Sequence, residues 1–313
     1  MLDIENLTVE LISETERFYI LRDFSLSLKK GEILGLAGES GSGKSVLAKS
    51  ILGLNKPPVI KTNGGIILKS NELKTEKDFA KIRGREISMI FQDPKNSLNP
   101  VMTIGEQLTE TIRLRNKKIS KKEAAAQAVH LMKDVDIDMP QSRFYAYPHQ
   151  LSGGMNQRIM TAAALSCNPE ILIADEPTTA LDVTIQEQII KLIQKLNKRD
   201  NLTILFVSHD LSLLSTVCDR IAVLYCGELM EIISGSGLIK GKEKHPYSRA
   251  LKECIPVIGS KKELTAIKGT IGKNNFNYNE KCIFADRCNN STDICFKEKP
   301  VFKNNCACHN PVI

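Results

Sequence analysis

The chain has 313 residues, of which 42% are hydrophobic and 25% charged, the balance of a soluble globular protein with room for one large or two ordinary domains. That composition excludes disorder, collagen and small disulfide-knit scaffolds, and the apolar runs are a handful of residues, far short of the roughly 20 needed to cross a bilayer. A net charge of +7, from 43 basic and 36 acidic residues without a block of like charge, gives no argument for a nucleic-acid partner.

The first residues, Met1-Leu-Asp-Ile-Glu-Asn6, carry neither a basic stretch followed by an apolar run nor a small-residue cleavage site, so the expected location is the cytosol. Gly31-Glu-Ile-Leu-Gly-Leu-Ala37 reads as a short buried strand entering a glycine-rich loop, and residues 45–54 follow with helical spacing, Leu47, Ile51 and Leu54 on one face. From about Pro94 to Pro169 no strand-like run occurs, and Ser120-Lys-Lys-Glu123 is a capping box opening an alanine-rich helix through Lys133. Residues 94–169 are therefore expected to be a helical insertion. Residues 171–174, 203–207 and 221–225 are short apolar runs bounded by charged or turn residues, as strands of a parallel sheet covered on both faces should be. Between the first two, Thr184-Ile-Gln-Glu187 predicts a capping box for a helix with Ile185, Ile189, Ile193 and Leu196 at near-helical spacing. Strand, helix, strand is a crossover unit, so the fold expected is α/β around a largely parallel sheet. After Pro256 the composition shifts to Lys, Asn, Gly and Cys, which predicts a linker of about 20 residues and a small appended module.

Gly38-Glu-Ser-Gly-Ser-Gly-Lys-Ser45 satisfies G-x-x-x-x-G-K-[ST] between a predicted strand and a predicted helix. Its glycines, Gly38, Gly41 and Gly43, let backbone N–H groups turn inward around β- and γ-phosphates, with Glu39, Ser40 and Ser42 between them, and the helix N-terminus adds positive charge. Lys44 then neutralises the phosphates and the Ser45 hydroxyl coordinates Mg2+. The run Ile171-Leu-Ile-Ala-Asp-Glu176 ends in two acids, delivered at the C-terminal edge of the sheet where such folds bind ligands. Asp175 fits the Mg2+ shell. Glu176 fits a general base for the attacking water, although an acid at a strand end also reads as plain surface. The run 203–207 delivers Ser208, His209 and Asp210 to the same edge, placing His209 where an imidazole N–H could hold the γ-phosphate, while a lone His is more often structural.

Taken in order, Gly38 to Ser45, Gln92 in Ile90-Phe-Gln-Asp-Pro94, Leu151-Ser-Gly-Gly-Met155, Asp175-Glu176, Ala180-Leu-Asp182 and His209 resemble the nucleotide-binding subunit of an ABC transporter, over residues 1 to about 255. The resemblance implies a P-loop NTPase fold of the ABC ATPase type, with ATP and Mg2+ as cofactors. It also implies that Gln92 links the Mg2+ site to the helical insertion, and that Ser152, Gly153 and Gly154 bind the γ-phosphate of ATP held by a partner subunit. A Ser-Gly-Gly turn suits that task, since it offers a hydroxyl and bare backbone N–H groups to an anion. Phe91-Gln-Asp-Pro-Lys-Asn-Ser-Leu-Asn-Pro100, Leu151-Ser-Gly-Gly-Met-Asn-Gln-Arg158 and His245-Pro-Tyr-Ser-Arg-Ala-Leu251 are similar to the dipeptide, oligopeptide and nickel permease ATPases, which are importers. Implied partners are two membrane-spanning permease subunits, a second ABC ATPase chain that is related but different, and indirectly an extracytoplasmic solute-binding protein. The implied location is the cytoplasmic face of the membrane. One departure concerns adenine: the family stacks the base on an aromatic before the loop, whereas simple alignment puts Leu11 there, with Phe18 or Tyr19 as substitutes. A nickel or metal-chelate importer is the nearest alternative, a soluble ABC ATPase acting on DNA or ribosomes is the rival from another class, and a regulator without turnover is a third reading.

Cys167, Cys218, Cys226 and Cys254 sit among apolar neighbours and read as small buried hydrophobes. Cys282, Cys288, Cys295, Cys306 and Cys308 instead crowd into the last 32 residues. A reducing compartment disfavours disulfides there and favours metal ligation. Structural zinc usually shows C-x2–4-C pairs, whereas C-x5-C-x6-C closed by Cys308, with Cys306 as an extra thiol, suits an iron–sulfur cluster. The tail also resembles the C-terminal extension of peptide-permease ATPases, some of which bind a [4Fe-4S] cluster. The expected ligands are Cys282, Cys288, Cys295 and Cys308, with Zn2+ or unligated thiols as alternatives. The expected domains are 1–255, a nucleotide-binding domain carrying the 94–169 insertion, and 256–313, the linker and Cys-rich extension.

Overall fold

A computed structural model of the chain describes residues 1–14, 17–93, 97–179, 181–255, 266–271 and 280–312. Most of the expected linker, 256–265 and 272–279, lies outside the described residues, as do Pro94 and Ala180 of the motifs. The chain forms two compact units, Met1–Glu76 with Phe206–Ile313, and Lys77–Leu205.

The first unit begins with β1 (Leu2–Ile12), β2 (Arg17–Leu28), β3 (Ile33–Ala37), α1 (Lys44–Ile51), β4 (Val59–Leu68) and β5 (Asn71–Glu72). Four of these strands form an antiparallel sheet in the order β2-β1-β4-β5, which sequence reasoning did not anticipate. β2 does carry the signal: Phe24, Leu26 and Leu28 are buried while Asp23, Ser25 and Ser27 between them are exposed, the alternation of a strand covered on one face.

The second unit holds β6 (Ile87–Ile90), α3 (Ile104–Arg115), α4 (Lys121–Asp134), α5 (Pro140–Arg143), α6 (Gly153–Leu165), β7 (Ile171–Asp175) and α7 (Val183–Asp200), with α2 (Glu76–Ile82) entering it. β8 (Thr203–Val207) contains its far boundary. Between residues 97 and 169 the described elements are helical. The Ser120 capping box forms as predicted, with Glu123 N–H donating to Ser120 Oγ at 3.2 Å and Ser120 N–H to Glu123 Oε2 at 3.0 Å. The predicted Thr184–Glu187 box does not form. α7 starts two residues earlier, capped by Asp182, whose Oδ1 accepts the Ile185 N–H at 2.9 Å, because Asp is as good an N-cap as Thr. Glu187 pairs instead with Lys191 one turn along. β6 and β7 run parallel, Ile87 beside Ile171 and Ile90 beside Ala174.

The chain returns to the first unit with α8 (Leu211–Val217), β9 (Arg220–Tyr225), β10 (Glu228–Ser234), α9 (Gly235–Ile239) and α10 (Pro246–Glu253). β9 pairs parallel with β3, which is buried along its whole length. It then turns into antiparallel β10 through Cys226 and Gly227, at φ 44° and 81°, a two-residue hairpin loop with both central residues left-handed. Parallel pairing thus recurs in both units, as the sequence led one to expect.

The Cys-rich tail belongs to the first unit. Ala307 N–H donates to Met230 O at 2.8 Å and Ile232 N–H to Asn305 O at 2.9 Å, so residues 305–307 lie along β10. Phe284, 2% exposed, packs against both Tyr225 and Tyr247 at ring separations of 5.2 and 5.1 Å. Burying such a ring is worth roughly 2 kcal/mol, an apolar anchor that the composition of the tail did not advertise. His245 lies beside it with Nδ1 accepting the Tyr247 N–H at 3.0 Å. Burial pushes its pKa down to about 4, which keeps the ring neutral. Among the described residues no helix is long and apolar enough to cross a membrane.

Candidate nucleotide-binding site

In the first unit, the stretch from β3 to α1 is a loop whose backbone only glycine supplies. Gly38 has φ 151° and a Cβ there would stand 2.3 Å from Leu224 O, while Gly43 has φ 105° and its Cβ would stand 3.0 Å from Ile20 O. The loop therefore threads where side chains do not fit. It closes on its own lysine: Lys44 Nζ donates to Gly38 O and Glu39 O, both at 2.9 Å, and to Ser42 Oγ at 3.4 Å. Gly43 provides no side-chain cap for α1, and the N-terminus of a helix carries partial positive charge suited to an anion. Ser40 and Gly41 are exposed at the loop tip and Ser45 is half-buried behind them.

In the same unit Ser208, directly after β8, donates its N–H to Leu36 O of β3 at 3.2 Å. Ser208 Oγ accepts the Asp210 N–H at 3.0 Å, and Asp210 caps α8 by accepting the Leu213 N–H at 3.0 Å. Two of the three polar residues delivered here thus shape the turn, and His209 is left exposed at its apex. Leu11 and Phe18 pair directly across β1 and β2, whereas Tyr19 pairs with Glu10. Phe18 therefore shares a face with Leu11, and Tyr19, beneath Arg22 at 5.5 Å, lies on the other.

In the second unit, β7 ends on Asp175, 4% exposed, and the chain leaves it through Glu176 at φ 46°. A left-handed glutamate costs on the order of 1 kcal/mol or more, a strain that persists only where the surroundings hold it. They do: Glu176 Oε2 accepts from Gln92 Nε2 at 3.0 Å and from Thr179 Oγ1 at 2.9 Å. Sequence reasoning placed Gln92 and Glu176 separately and missed Thr179, for which spacing offers no signal. The Ser152 hydroxyl accepts the Met155 N–H at 3.2 Å as N-cap of α6. Gly153 and Gly154 open that helix, and a Cβ on Gly154 would stand 2.6 Å from Ile185 Cγ2, so close packing on α7 requires the second glycine.

Of the cysteines read as small core residues, Cys167, Cys218 and Cys226 are buried and Cys254 is half-buried. In the tail, burial pushes the Cys282 pKa up to about 12, reinforced by the thiols of Cys295, Cys308 and Cys288. Burial also raises Cys288 and Cys308, again with neighbouring thiols contributing. Cys306 is pushed up to about 12 by burial, then by Glu231 and Cys308. The Cys282 N–H donates to Cys295 O at 2.9 Å, so these two lie side by side. Among the described residues no three His, Cys, Asp or Glu side chains converge as they would on a single metal ion.

A phosphate loop closed on its own lysine is a working part of a P-loop ATPase, and so is a strand ending in two acids, the second held by Gln92 and Thr179. Known proteins carry the reading further. Residues 21–179 match the ABC transporter family, and residues 233–295 match the C-terminal region of oligopeptide/dipeptide transporters. The chain is 44% identical over 304 residues to the oligopeptide transport ATP-binding protein AppD of Bacillus subtilis, covering 96% of this chain and 92% of that one. It is 37% identical over 319 residues to the dipeptide transport ATP-binding protein DppD of Escherichia coli, covering 100% and 97%. A solved dimeric post-hydrolysis state of the ATP-binding cassette MJ0796, bound to ADP and Pi, superposes with a TM-score of 0.68 at 31% identity, over 76% of this chain and 100% of that one. The fold and site thus define an ABC-type ATPase. The chain belongs to the ABC transporter family, among its oligopeptide and dipeptide transport ATP-binding proteins.

Proposed function

We propose that this chain binds and hydrolyses ATP to energise an importer of dipeptides and oligopeptides, docked on the cytoplasmic face of a membrane. In this reading residues 1–255 are the nucleotide-binding domain, 94–169 its helical insertion and 256–313 a linker and Cys-rich extension. The loop amides and Lys44 hold the β- and γ-phosphates, Ser45 and Asp175 hold Mg2+, and Glu176 takes the proton of the attacking water while Gln92 orients it. Mg2+ held there would supply charge neutralisation to the phosphates. His209 donates to the γ-phosphate, and Ser152, Gly153 and Gly154 face the γ-phosphate bound by a second ATPase chain, so each site needs both. Two permease subunits and an extracytoplasmic solute-binding protein complete the machine.

The observation that favours peptides is the second family match, over 233–295, because that region lies outside the ABC transporter match ending at 179. The assembled complex, purified from membranes with its permease chains, is expected to show ATPase activity stimulated by its solute-binding protein loaded with a short peptide. Stimulation only by a nickel chelate would move the chain to the metal branch, and recovery with ribosomes or nucleic acid instead of permease chains would remove the importer altogether.

For the tail we propose a [4Fe-4S] cluster on Cys282, Cys288, Cys295 and Cys308. The support is the C-x5-C-x6-C spacing closed by Cys308 and the backbone bond from the Cys282 N–H to Cys295 O at 2.9 Å, which brings two of the four together. Protein purified without oxygen is expected to be brown and to contain iron and sulfide. A colourless, iron-free preparation with stoichiometric zinc rejects the cluster.

A further inference from the structure

An acid is an awkward neighbour for a triphosphate, yet the residue after the first glycine of the phosphate loop is Glu39, and it is gripped from three directions. Its carbonyl accepts from Lys44 Nζ at 2.9 Å and its N–H donates to Tyr247 Oη at 3.0 Å. Its carboxylate accepts both prongs of the Arg287 guanidinium, Nη1 at 2.9 Å on Oε1 and Nη2 at 3.1 Å on Oε2. Arg287 comes from the Cys-rich tail, immediately before Cys288 and three residues after Phe284.

Nearly every donor of Arg287 is committed. Nε donates to Lys268 O at 2.8 Å, Nη2 also to Gly269 O at 3.3 Å, and Nη1 also to Tyr225 Oη at 3.3 Å. The guanidinium carbon lies 5.6 Å from the centre of the Tyr225 ring. Its side chain is 7% exposed and that of Glu39 is 28% exposed, so the pair is shielded enough to differ from an ordinary surface ion pair. The aromatic triad of Tyr225, Tyr247 and Phe284 packs directly beneath. It fixes the two tyrosines that touch Arg287 and Glu39 against the same tail segment.

We infer that Arg287 is a positioning residue for the phosphate loop: it neutralises Glu39 and holds that carboxylate aside, so the Cys-rich tail completes the ATP site of its own chain. This rests on the ATP-binding reading and adds a determinant of affinity that lies outside the nucleotide-binding motifs. Without Arg287, an unpaired carboxylate stands beside the place where the phosphates bind, and repulsion weakens them. By reciprocity, nucleotide in the loop favours the docked tail.

The test is a double-mutant cycle on the full chain, read by calorimetric titration with Mg2+ and the non-hydrolysed ATP analogue adenylyl imidodiphosphate. Arg287→Ala is expected to raise Kd on the order of tenfold, within the range of coupled charge pairs. Arg287→Lys keeps the charge but not the two-pronged geometry and should lie between. In a Glu39→Gln background the same Arg287→Ala change should alter Kd by less than about twofold, because there is no carboxylate left to neutralise. An Arg287→Ala effect of equal size in both backgrounds would mean that Arg287 merely stabilises the tail, and an unchanged Kd in the wild-type background would remove the link; either result overturns the inference. Should Arg287→Ala not fold, Arg287→Lys in the two backgrounds makes the same comparison. Lys44→Ala separates the readings: if it abolishes binding while Arg287→Ala does nothing, the ATP site stands and this inference falls.

Discussion

Lys44→Ala is expected to abolish tight nucleotide binding, raising the Kd for Mg-ATP by roughly 10²–10³-fold, the cost of truncating a buried hydrogen-bonded charge at an interface. Lys44 is 5% exposed, and its ammonium spans the loop by donating to Gly38 O, Glu39 O and Ser42 Oγ. The substitution therefore removes two things at once, the only charge in the loop able to meet the phosphates and the brace that keeps the carbonyls of 38 and 39 turned toward one point. Calorimetric titration gives the first directly, and thermal unfolding without nucleotide gives the second. A normal Kd would mean that the loop does not hold phosphate, whatever its pattern. A raised Kd together with an unchanged melting temperature would assign the effect to lost charge alone.

What the sequence disclosed and what it concealed follow from the range of the interactions involved. The loop was legible because φ values of 151° and 105° at Gly38 and Gly43 are a local demand that a local residue type answers. The acid pair was legible because an apolar run ending in charge marks a strand reaching the rim of a covered sheet. The antiparallel sheet was missed because β1 shifts register between Ile4 and Leu7, Leu7 and Val9, and Val9 and Glu10, which erases the two-residue period on which the eye relies. The start of α7 was misjudged because Asp182 and Thr184 are both competent caps two residues apart and only packing chooses between them. The Arg287–Glu39 pair was invisible for a plainer reason: its members stand 248 residues apart, and nothing in either neighbourhood names the other.

Glu176→Gln is expected to lower turnover by roughly 10²–10⁴-fold, the usual worth of a general base, while ATP binding persists and an ATP-bound dimer accumulates. Glutamine matches glutamate in size, so the left-handed backbone at φ 46° is not disturbed, and its carbonyl can still accept from Gln92 and Thr179, which hold Oε2 at 3.0 and 2.9 Å. What it lacks is a lone pair that can take a proton from water near neutral pH. For Glu176 to act, the Gln92 amide must shift from the carboxylate to the water, a step that the companion substitution Gln92→Ala is expected to leave without guidance, with slower turnover but no trapped dimer. Phosphate release and size-exclusion chromatography in the presence of Mg-ATP distinguish the two variants. Turnover of Glu176→Gln at the wild-type rate would take the proton transfer away from this carboxylate, and turnover lost without a dimer would place its role in assembling the site rather than in the chemistry.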